Sequence, residues 1–169
     1  CRNLFMYMFT HPGKKLNFLG NDIGMFREFD ETKELDWFLL KYPLHDSFNR
    51  YFRDLCQIYK AYKAFNSNDY NYESFKWIDA DNASQSIYVY SRYDEDYCFI
   101  VVLNMMPISY TNYRIGVPYK GTYTELINSE KDIYNGCNMC NFKPIQSHKI
   151  KSHGLVNSIS IDIAPYAGI

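Results

Sequence analysis

The fold of this chain is decided by Thr10–Trp37, which reads THPGKKLNFLGNDIGMFREFDETKELDW. Within it, Leu16–Leu19 is a short apolar run that predicts a buried strand, and Gly20-Asn21-Asp22 ends that strand in a polar loop. Proteins with α/β folds place functional groups where a strand gives way to such a loop. We therefore expect the functional groups of the chain in this loop.

Helices are predicted on both sides of this stretch. Upstream, apolar residues at helical spacing predict a helix over Cys1–Thr10, buried against a sheet and ended by His11-Pro12-Gly13. Downstream, Phe48–Tyr62 has the pattern of a long amphipathic helix, with Asp46 or Ser47 as its cap. The chain begins inside the first helix with no capping residue before it, so we expect a cut chain.

The second half of the sequence changes to the two-residue period of strands. The predicted strands are Phe75–Asp79, Ser86–Arg92, Cys98–Asn104, Tyr110–Val117, Thr122–Ile127 and Ser158–Ile163. Short strands separated by turn residues predict an antiparallel β-sandwich over residues 69–169. We place the boundary near Asn68. Residues 1–68 hold one strand of parallel type, which cannot pair with itself and needs a partner sheet upstream.

Composition excludes several classes of protein. Hydrophobic residues make up 47% and charged residues 22% of the 169 residues, which predicts a packed core. The net charge of −1 gives no electrostatic reason to bind nucleic acid, and no apolar run is long enough to span a membrane. Five cysteines at mixed spacings indicate reduced thiols and a cytoplasmic location. We expect no cofactor.

Five stretches carry a resemblance to a known family. They are HPGKKLNFLGND (11–22), ELDWFLLKYPLHDSFNRYFRDL (34–55), FKWIDADNASQSIYVYSR (75–92), YRIGVP (113–118) and GTYTELINS (121–129). Together they resemble the C-terminal part of bacterial 1,4-α-glucan branching enzymes, which belong to the α-amylase superfamily of glycoside hydrolases. The resemblance implies that residues 1–68 are the end of a (β/α)₈ TIM barrel, with Leu16–Leu19 as its eighth strand and a helix on each side. The β-sandwich would be the C-terminal domain.

The resemblance also implies an activity. Enzymes of this family cleave α-1,4 glucan through a covalent glycosyl-enzyme and transfer the piece to a sugar 6-hydroxyl, which forms the α-1,6 branches of glycogen. Their catalytic carboxylates come from earlier barrel strands, so no catalytic residue is assigned in this chain. The partners implied are α-glucan, as glycogen or amylose, and the missing N-terminal part of the barrel. The fragment alone is expected to be inactive.

The loop residues Asn21, Asp22, Arg27 and Glu28 are the candidate substrate-binding residues. One interpretation places them in the wall of the glucan cleft. The other is loop architecture, in which the carboxylates accept backbone N–H bonds and pair with Arg27. The family commonly has Glu in place of Asp22, and Gln and Trp in place of Met25 and Phe29. Trp37 could stack on a sugar, but its apolar neighbours favour packing.

Two further sets of residues have rival interpretations. Cys137, Cys140, His148 and His153 could form a tetrahedral metal site, but their spacing matches no zinc module, and a flexible loop is favoured. The aromatic set Trp77, Tyr88, Tyr90, Tyr93 and Tyr97 could bind sugar or pack in the sandwich. Two alternatives for the function stay open: a non-catalytic glucan-binding module and a fragment of an amylase-type hydrolase.

Overall fold

In the computed structural model, which describes residues 1–28, 30–67 and 69–169, helices come first and strands follow. The helices are α1 (Arg2–Thr10), α2 (Pro43–Ala61) and the single turn α3 (Lys63–Asn66). Short 3₁₀ turns lie at Asn21–Ile23, Trp37–Lys41, Tyr72–Ser74 and Asp132–Tyr134. Phe29 and Asn68 lie outside the described residues, so the departure from the family at Phe29 and the boundary placed at Asn68 stay predictions.

The strands of the described residues form three antiparallel sheets. They are β1 (Phe75–Asp79), β2 (Ile87–Tyr93), β3 (Cys98–Asn104), β4 (Tyr110–Val117), β5 (Thr122–Tyr123), β6 (Ile145–Gln146) and β7 (Asn157–Ile163). The sheet orders are β1-β2-β3, β4-β7 and β5-β6. The antiparallel all-β character predicted for the second half of the chain is therefore confirmed. Three strands, β1, β3 and β4, begin and end at the predicted residues.

The β1-β2-β3 sheet lies between the helices and the β4-β7 sheet. Along β2, Ile87 and Val89 pack in one core with Ile115 of β4 and Ile161 of β7. The alternate residue Tyr90 points to the other face, where its hydroxyl lies 2.6 Å from Thr10 Oγ1 at the end of α1. Because residues alternate across a strand, both faces of this sheet are buried.

One core cluster contains residues from both sides of the predicted boundary. Met6 and Phe9 of α1 and Leu55 of α2 pack with Tyr90 of β2 and Leu103 of β3. This burial confirms that α1 packs against a sheet. The apolar face of α1 covers only part of the helix, since Leu4 is 66% exposed. Among the helices of the described residues, none is long and apolar enough to span a bilayer.

Arg92 holds this junction together by hydrogen bonds. Its side chain is fully buried, and its guanidinium donates to the carbonyl of Thr10 at 2.7 Å and to the carbonyl of Ala64. The same guanidinium pairs with Asp69 Oδ1 at 3.2 Å, and Lys15 Nζ lies 3.8 Å from the other oxygen of Asp69. One arginine of the sheet therefore connects the end of α1 with α3, which stabilises the packing of the helices on the sheet.

The strand predicted at Leu16–Leu19 is absent from the structure. Residues 14–18 have no regular secondary structure, residues 19–20 form a turn, and the Leu16 side chain is 77% exposed. A strand is defined by hydrogen bonds to a neighbouring strand, and the described residues provide none here. The apolar composition of Leu16–Leu19 therefore did not suffice to predict a strand, because a strand also needs a neighbouring strand to pair with.

The cap predicted for α2 and the extent of β5 are also corrected. The helix α2 begins at Pro43. Proline suits the first helical position because its φ is already helical, and because the N–H that it lacks would have no acceptor within the helix. Asp46 therefore lies in the first turn and does not cap the helix, and Ser47 follows within it. The strand predicted at Thr122–Ile127 is limited to Thr122–Tyr123, which pairs with Ile145–Gln146, a strand that the sequence did not indicate.

Candidate functional site

The loop that carries the candidate binding residues is shaped by two glycines. Gly20 and Gly24 have φ values of 82° and 63°, the left-handed conformation that glycine adopts without strain, and they flank the 3₁₀ turn Asn21–Ile23. A Cβ on Gly20 would lie 2.9 Å from the Cβ of Met25, so this position has no room for a side chain. The run Gly20-Asn21-Asp22 therefore forms a tight turn with a defined shape.

The first half of α2 holds this loop in place. His45 Nδ1 lies 2.7 Å from the carbonyl oxygen of Ile23, and Asn49 donates from Nδ2 to the carbonyl oxygen of Asp22 at 3.0 Å. Both anchoring side chains lie one helical turn apart, on the same face of α2. Neither contact was predictable from the sequence, because neither residue is distinguished by composition or spacing from other polar residues of the helix.

The candidate binding residues differ in how far they are available to a ligand. Asn21 and Glu28 are exposed, and Asp22 and Arg27 are half-buried. Arg27 donates to Asp36 Oδ1 at 2.9 Å and to the carbonyl oxygen of Glu34 at 2.8 Å. The hydrogen bond with Asp36 raises the pKa of the Arg27 guanidinium. Arg27 is thus an element of loop architecture, but its partner is Asp36 rather than the carboxylates considered from sequence.

The neighbouring Asp30 forms a second local cluster in the loop. It accepts hydrogen bonds from the hydroxyl and backbone N–H of Thr32 and lies 2.8 Å from Lys33 Nζ. These contacts, that with Lys33 first, lower the pKa of Asp30 to about 2. Asp30 and Asp36 are therefore paired within the loop itself, and among the four candidate binding residues Asn21 and Glu28 are the exposed ones.

Large apolar side chains are exposed over residues 16–44. They are Leu16, Phe18, Leu19, Phe26, Trp37, Phe38, Tyr42 and Leu44, and we call this set the apolar loop face. Trp37 is 48% exposed, so packing within the chain covers only about half of it. Where such side chains adjoin one another, they form the kind of apolar patch that marks an interaction surface.

The aromatic side chains of the sandwich do not share one surface. Trp77 and Tyr90 are register partners, their ring centroids lie 5.3 Å apart, and both point towards the helices. Tyr93 lies on the opposite face of β2, where the Ser91 hydroxyl donates to its oxygen at 2.8 Å. Tyr90 is fully buried. The set considered as a sugar platform is thus divided between two faces of the sheet.

Among the cysteines and histidines considered as metal ligands, His153 makes side-chain contacts of its own. His153 places Nε2 3.3 Å from Asp79 Oδ2, and its Nδ1 accepts a hydrogen bond from the Gly116 N–H. Burial raises the pKa of the Cys140 thiol to about 11, which disfavours the thiolate that binds a metal. In the described ranges, no three Cys, His, Asp or Glu side chains are grouped as a metal site requires.

The fold and sequence of this chain define its family. Residues 77–169, more than half of the chain, match the family described as alpha amylase, C-terminal all-beta domain. The chain therefore belongs to this family.

Within the family, the chain is similar to curated branching enzymes over nearly all of its length. It is 43% identical, over 99% of its residues, to the 1,4-alpha-glucan branching enzyme GlgB of Nitrosococcus oceani. It is 36% identical, over 98% of its residues, to the enzyme of the same name from Bacillus subtilis. The chain spans 22% and 27% of the lengths of these relatives.

Solved structures of the same fold are more distant in sequence. A debranching enzyme from Nostoc punctiforme matches 99% of this chain and 30% of its own, with a TM-score of 0.60 and 15% identity. A cyclomaltodextrinase matches 99% of this chain and 25% of its own, with a TM-score of 0.56 and 16% identity. At this level of identity the likeness concerns the fold alone.

Proposed function

We propose that this chain is a segment of a 1,4-α-glucan branching enzyme, which cleaves α-1,4 glucan and transfers the released piece to a 6-hydroxyl to form α-1,6 branches in glycogen. The observation that carries the proposal is the 43% identity to a curated branching enzyme over 99% of the chain. The chain would then be part of a retaining glycosyltransferase. The catalytic carboxylates would lie outside these 169 residues.

The apolar loop face supports a role as one part of a larger catalytic domain. Leu16 and Phe26 are 77% and 86% exposed, and the described residues bring no strand beside Leu16–Leu19. We propose that this segment becomes the last strand of a (β/α)₈ barrel when the rest of the barrel is present. Burial of these side chains would then contribute about 25 cal/mol per Å² of apolar surface.

Within that enzyme, Asn21, Asp22, Arg27 and Glu28 would lie at the C-terminal face of the barrel, where the active sites of such barrels are found. Asn21 and Glu28 are accessible to a glucan, and Arg27 would contribute by holding the loop through Asp36. These residues would bind and orient the glucan. The proposed location of the enzyme is the cytoplasm, where glycogen is its product and its substrate.

The isolated chain provides the first test. Incubated with amylose, it is expected to form no α-1,6 linkages, as measured by debranching with isoamylase and chromatography of the released chains. New branches formed by the purified chain would contradict the placement of the catalytic groups elsewhere. A chimeric enzyme, in which this chain completes an intact barrel, distinguishes branching from hydrolysis.

A further inference from the structure

The 3₁₀ turn Asn21–Ile23 ends in two carbonyl groups that the loop itself does not satisfy. The carbonyls of Gly20 and Asn21 accept hydrogen bonds from backbone N–H groups within the loop. Among the described residues, no backbone N–H donates to the next two carbonyls, which are those of Asp22 and Ile23. A turn that ends in this way needs donors from another part of the chain.

Two side chains of α2 supply these donors. Asn49 donates from Nδ2 to the Asp22 carbonyl at 3.0 Å, and His45 Nδ1 lies 2.7 Å from the Ile23 carbonyl oxygen. A carbonyl oxygen only accepts hydrogen bonds, so Nδ1 is the ring nitrogen that carries the hydrogen. Each of the two carbonyls at the end of the turn therefore has its own donor from the helix.

His45 also packs against the residues that follow the turn. Its ring meets Phe26 edge-on at a centroid distance of 5.2 Å, and a Cβ on Gly24 would lie 3.5 Å from His45 Nδ1. The Ile23 side chain is fully buried. Because the turn is flanked by Gly20 and Gly24, the residue type that restricts the backbone least, contacts from outside the turn are needed to fix its orientation.

The orientation of this turn determines where the Asn21 side chain lies. Asn21 is exposed and is the first residue of the turn whose last two carbonyls are held by α2. A short 3₁₀ turn moves as a unit, so a displacement at its end also displaces its first residue. A misplacement of about 1 Å in an enzyme site can cost about 100-fold in rate. The two side chains of α2 thus control the position of a polar group at the proposed glucan site.

We propose that His45 and Asn49 are positioning residues of the branching reaction, which hold Asn21 where it binds and orients the glucan. This inference rests on the proposed function, because it requires a glucan at the loop. Neither His45 nor Asn49 contacts the glucan itself, since both act through the carbonyls of the turn. Loss of either donor therefore lowers activity only as far as Asn21 contributes to it.

The test is a double-mutant cycle in a chimera in which this chain replaces the matching residues of the Nitrosococcus oceani branching enzyme. The value of kcat/KM is measured for formation of α-1,6 linkages from amylose. Asn49→Leu and Asn21→Ala are each expected to lower it about tenfold. The double variant should also lose about tenfold, because both changes remove the same contact. Gln57→Leu, at an exposed position of the same helix, is the control and should keep the parent value.

His45 allows a test by rescue. The variant His45→Asn keeps an amide donor close to the position of Nδ1, whereas His45→Leu keeps none. We expect His45→Asn to stay within about threefold of the parent kcat/KM and His45→Leu to lose about tenfold. Thermal unfolding shows which variants are folded at the assay temperature. If Asn49→Leu does not fold, His45→Leu takes its place in the cycle with Asn21→Ala.

Four results would overturn this proposal while the proposed function stands, since the parent chimera branches in each. Asn49→Leu and His45→Leu could keep the parent kcat/KM, or Asn21→Ala could keep it. The double variant could lose about 100-fold, which would show that Asn49 acts independently of Asn21. Asn49→Leu and His45→Leu could both fail to fold, which would show that these side chains serve folding. A folded parent chimera that forms no α-1,6 linkages would instead overturn the proposed function and this inference together.

Discussion

At the scale of the residue, Arg92 is the side chain on which the packing of helices against the sheet most depends. It is fully buried, pairs with Asp69 and donates to the carbonyls of Thr10, at the end of α1, and of Ala64 in α3. A buried charge that loses its partners is costly, whereas the exposed pair of Arg50 and Asp46 contributes little. The sequence placed Arg92 at the end of a strand but gave no sign of its burial.

Replacement of Arg92 by alanine is therefore expected to lower the free energy of unfolding by about 3–5 kcal/mol, since Asp69 and two carbonyls lose their donor. Lysine at this position keeps the charge but lacks the forked donors, so an intermediate loss is expected. Urea denaturation measures both. The control Arg50→Ala should change stability by no more than about 0.5 kcal/mol, and an equally small effect at Arg92 would contradict this role.

His11 gives the chain a pH-dependent stability. The ring lies among Tyr7, Phe75, Trp77 and Tyr90 at centroid distances of 4.9–6.1 Å. Burial lowers the pKa of His11 below its ordinary value of 6.5. The unfolded chain therefore binds the proton more tightly, and this contribution to stability is present above that ordinary value and is lost as pH falls through the folded-state pKa.

The variant His11→Gln should accordingly lose less stability than the parent chain between about pH 7.5 and about pH 5. Thermal unfolding at several pH values measures the difference. The control His148→Gln removes an exposed imidazole and should keep the pH dependence of the parent chain. A His11→Gln variant whose stability falls as steeply as that of the parent would exclude His11 as the source.

At the scale of the element, the strands that the sequence predicted correctly are those whose pairing partners lie within this chain. Phe75–Asp79 and Cys98–Asn104 form where the alternation predicts them, because β2 lies beside both. Leu16–Leu19 has a strand composition, but no strand of the described residues pairs with it, and Thr122–Ile127 is paired only at Thr122 and Tyr123. Periodicity reports which face a residue prefers, whereas pairing depends on residues far away in the sequence.

The candidate loop likewise combines a turn that local sequence predicts with long-range contacts that it does not. Gly20-Asn21-Asp22 was predictable as a turn because glycine allows the left-handed conformation found at Gly20. Its anchoring by His45 and Asn49, and the pairing of Arg27 with Asp36, depend on how α2 is placed against the loop. Contacts between distant polar side chains leave no pattern in a single sequence.

Gly116 provides a test of the contact between β4 and the loop that contains Ser152. A Cβ at this position would overlap the carbonyl oxygen of Ser152, which belongs to the loop lying against the strand. Gly116→Ala should therefore destabilise the chain by about 1–3 kcal/mol, because backbone must move to admit the methyl group. Chemical denaturation measures the loss. Thr111→Ala, at an exposed site of the same strand, should change stability by no more than about 0.5 kcal/mol, and equal effects would contradict the close packing.

At the scale of the whole molecule, the described residues form antiparallel β-sheets, one of which packs against the helices on one face and against the β4-β7 sheet on the other, with the apolar loop face exposed. Membership of the α-amylase family follows from residues 77–169, and the proposed branching activity follows from similarity along nearly the whole chain. The central claim is that this chain is a functional segment of a branching enzyme.

The most direct measurement uses a chimera in which this chain replaces the matching residues of the Nitrosococcus oceani branching enzyme. The purified chimera is incubated with amylose, and the α-1,6 linkages formed are counted by ¹H NMR alongside the reducing ends released. The account predicts new α-1,6 linkages with few new reducing ends, as transfer requires. A folded chimera that forms no α-1,6 linkages, or that only releases reducing ends, would contradict it.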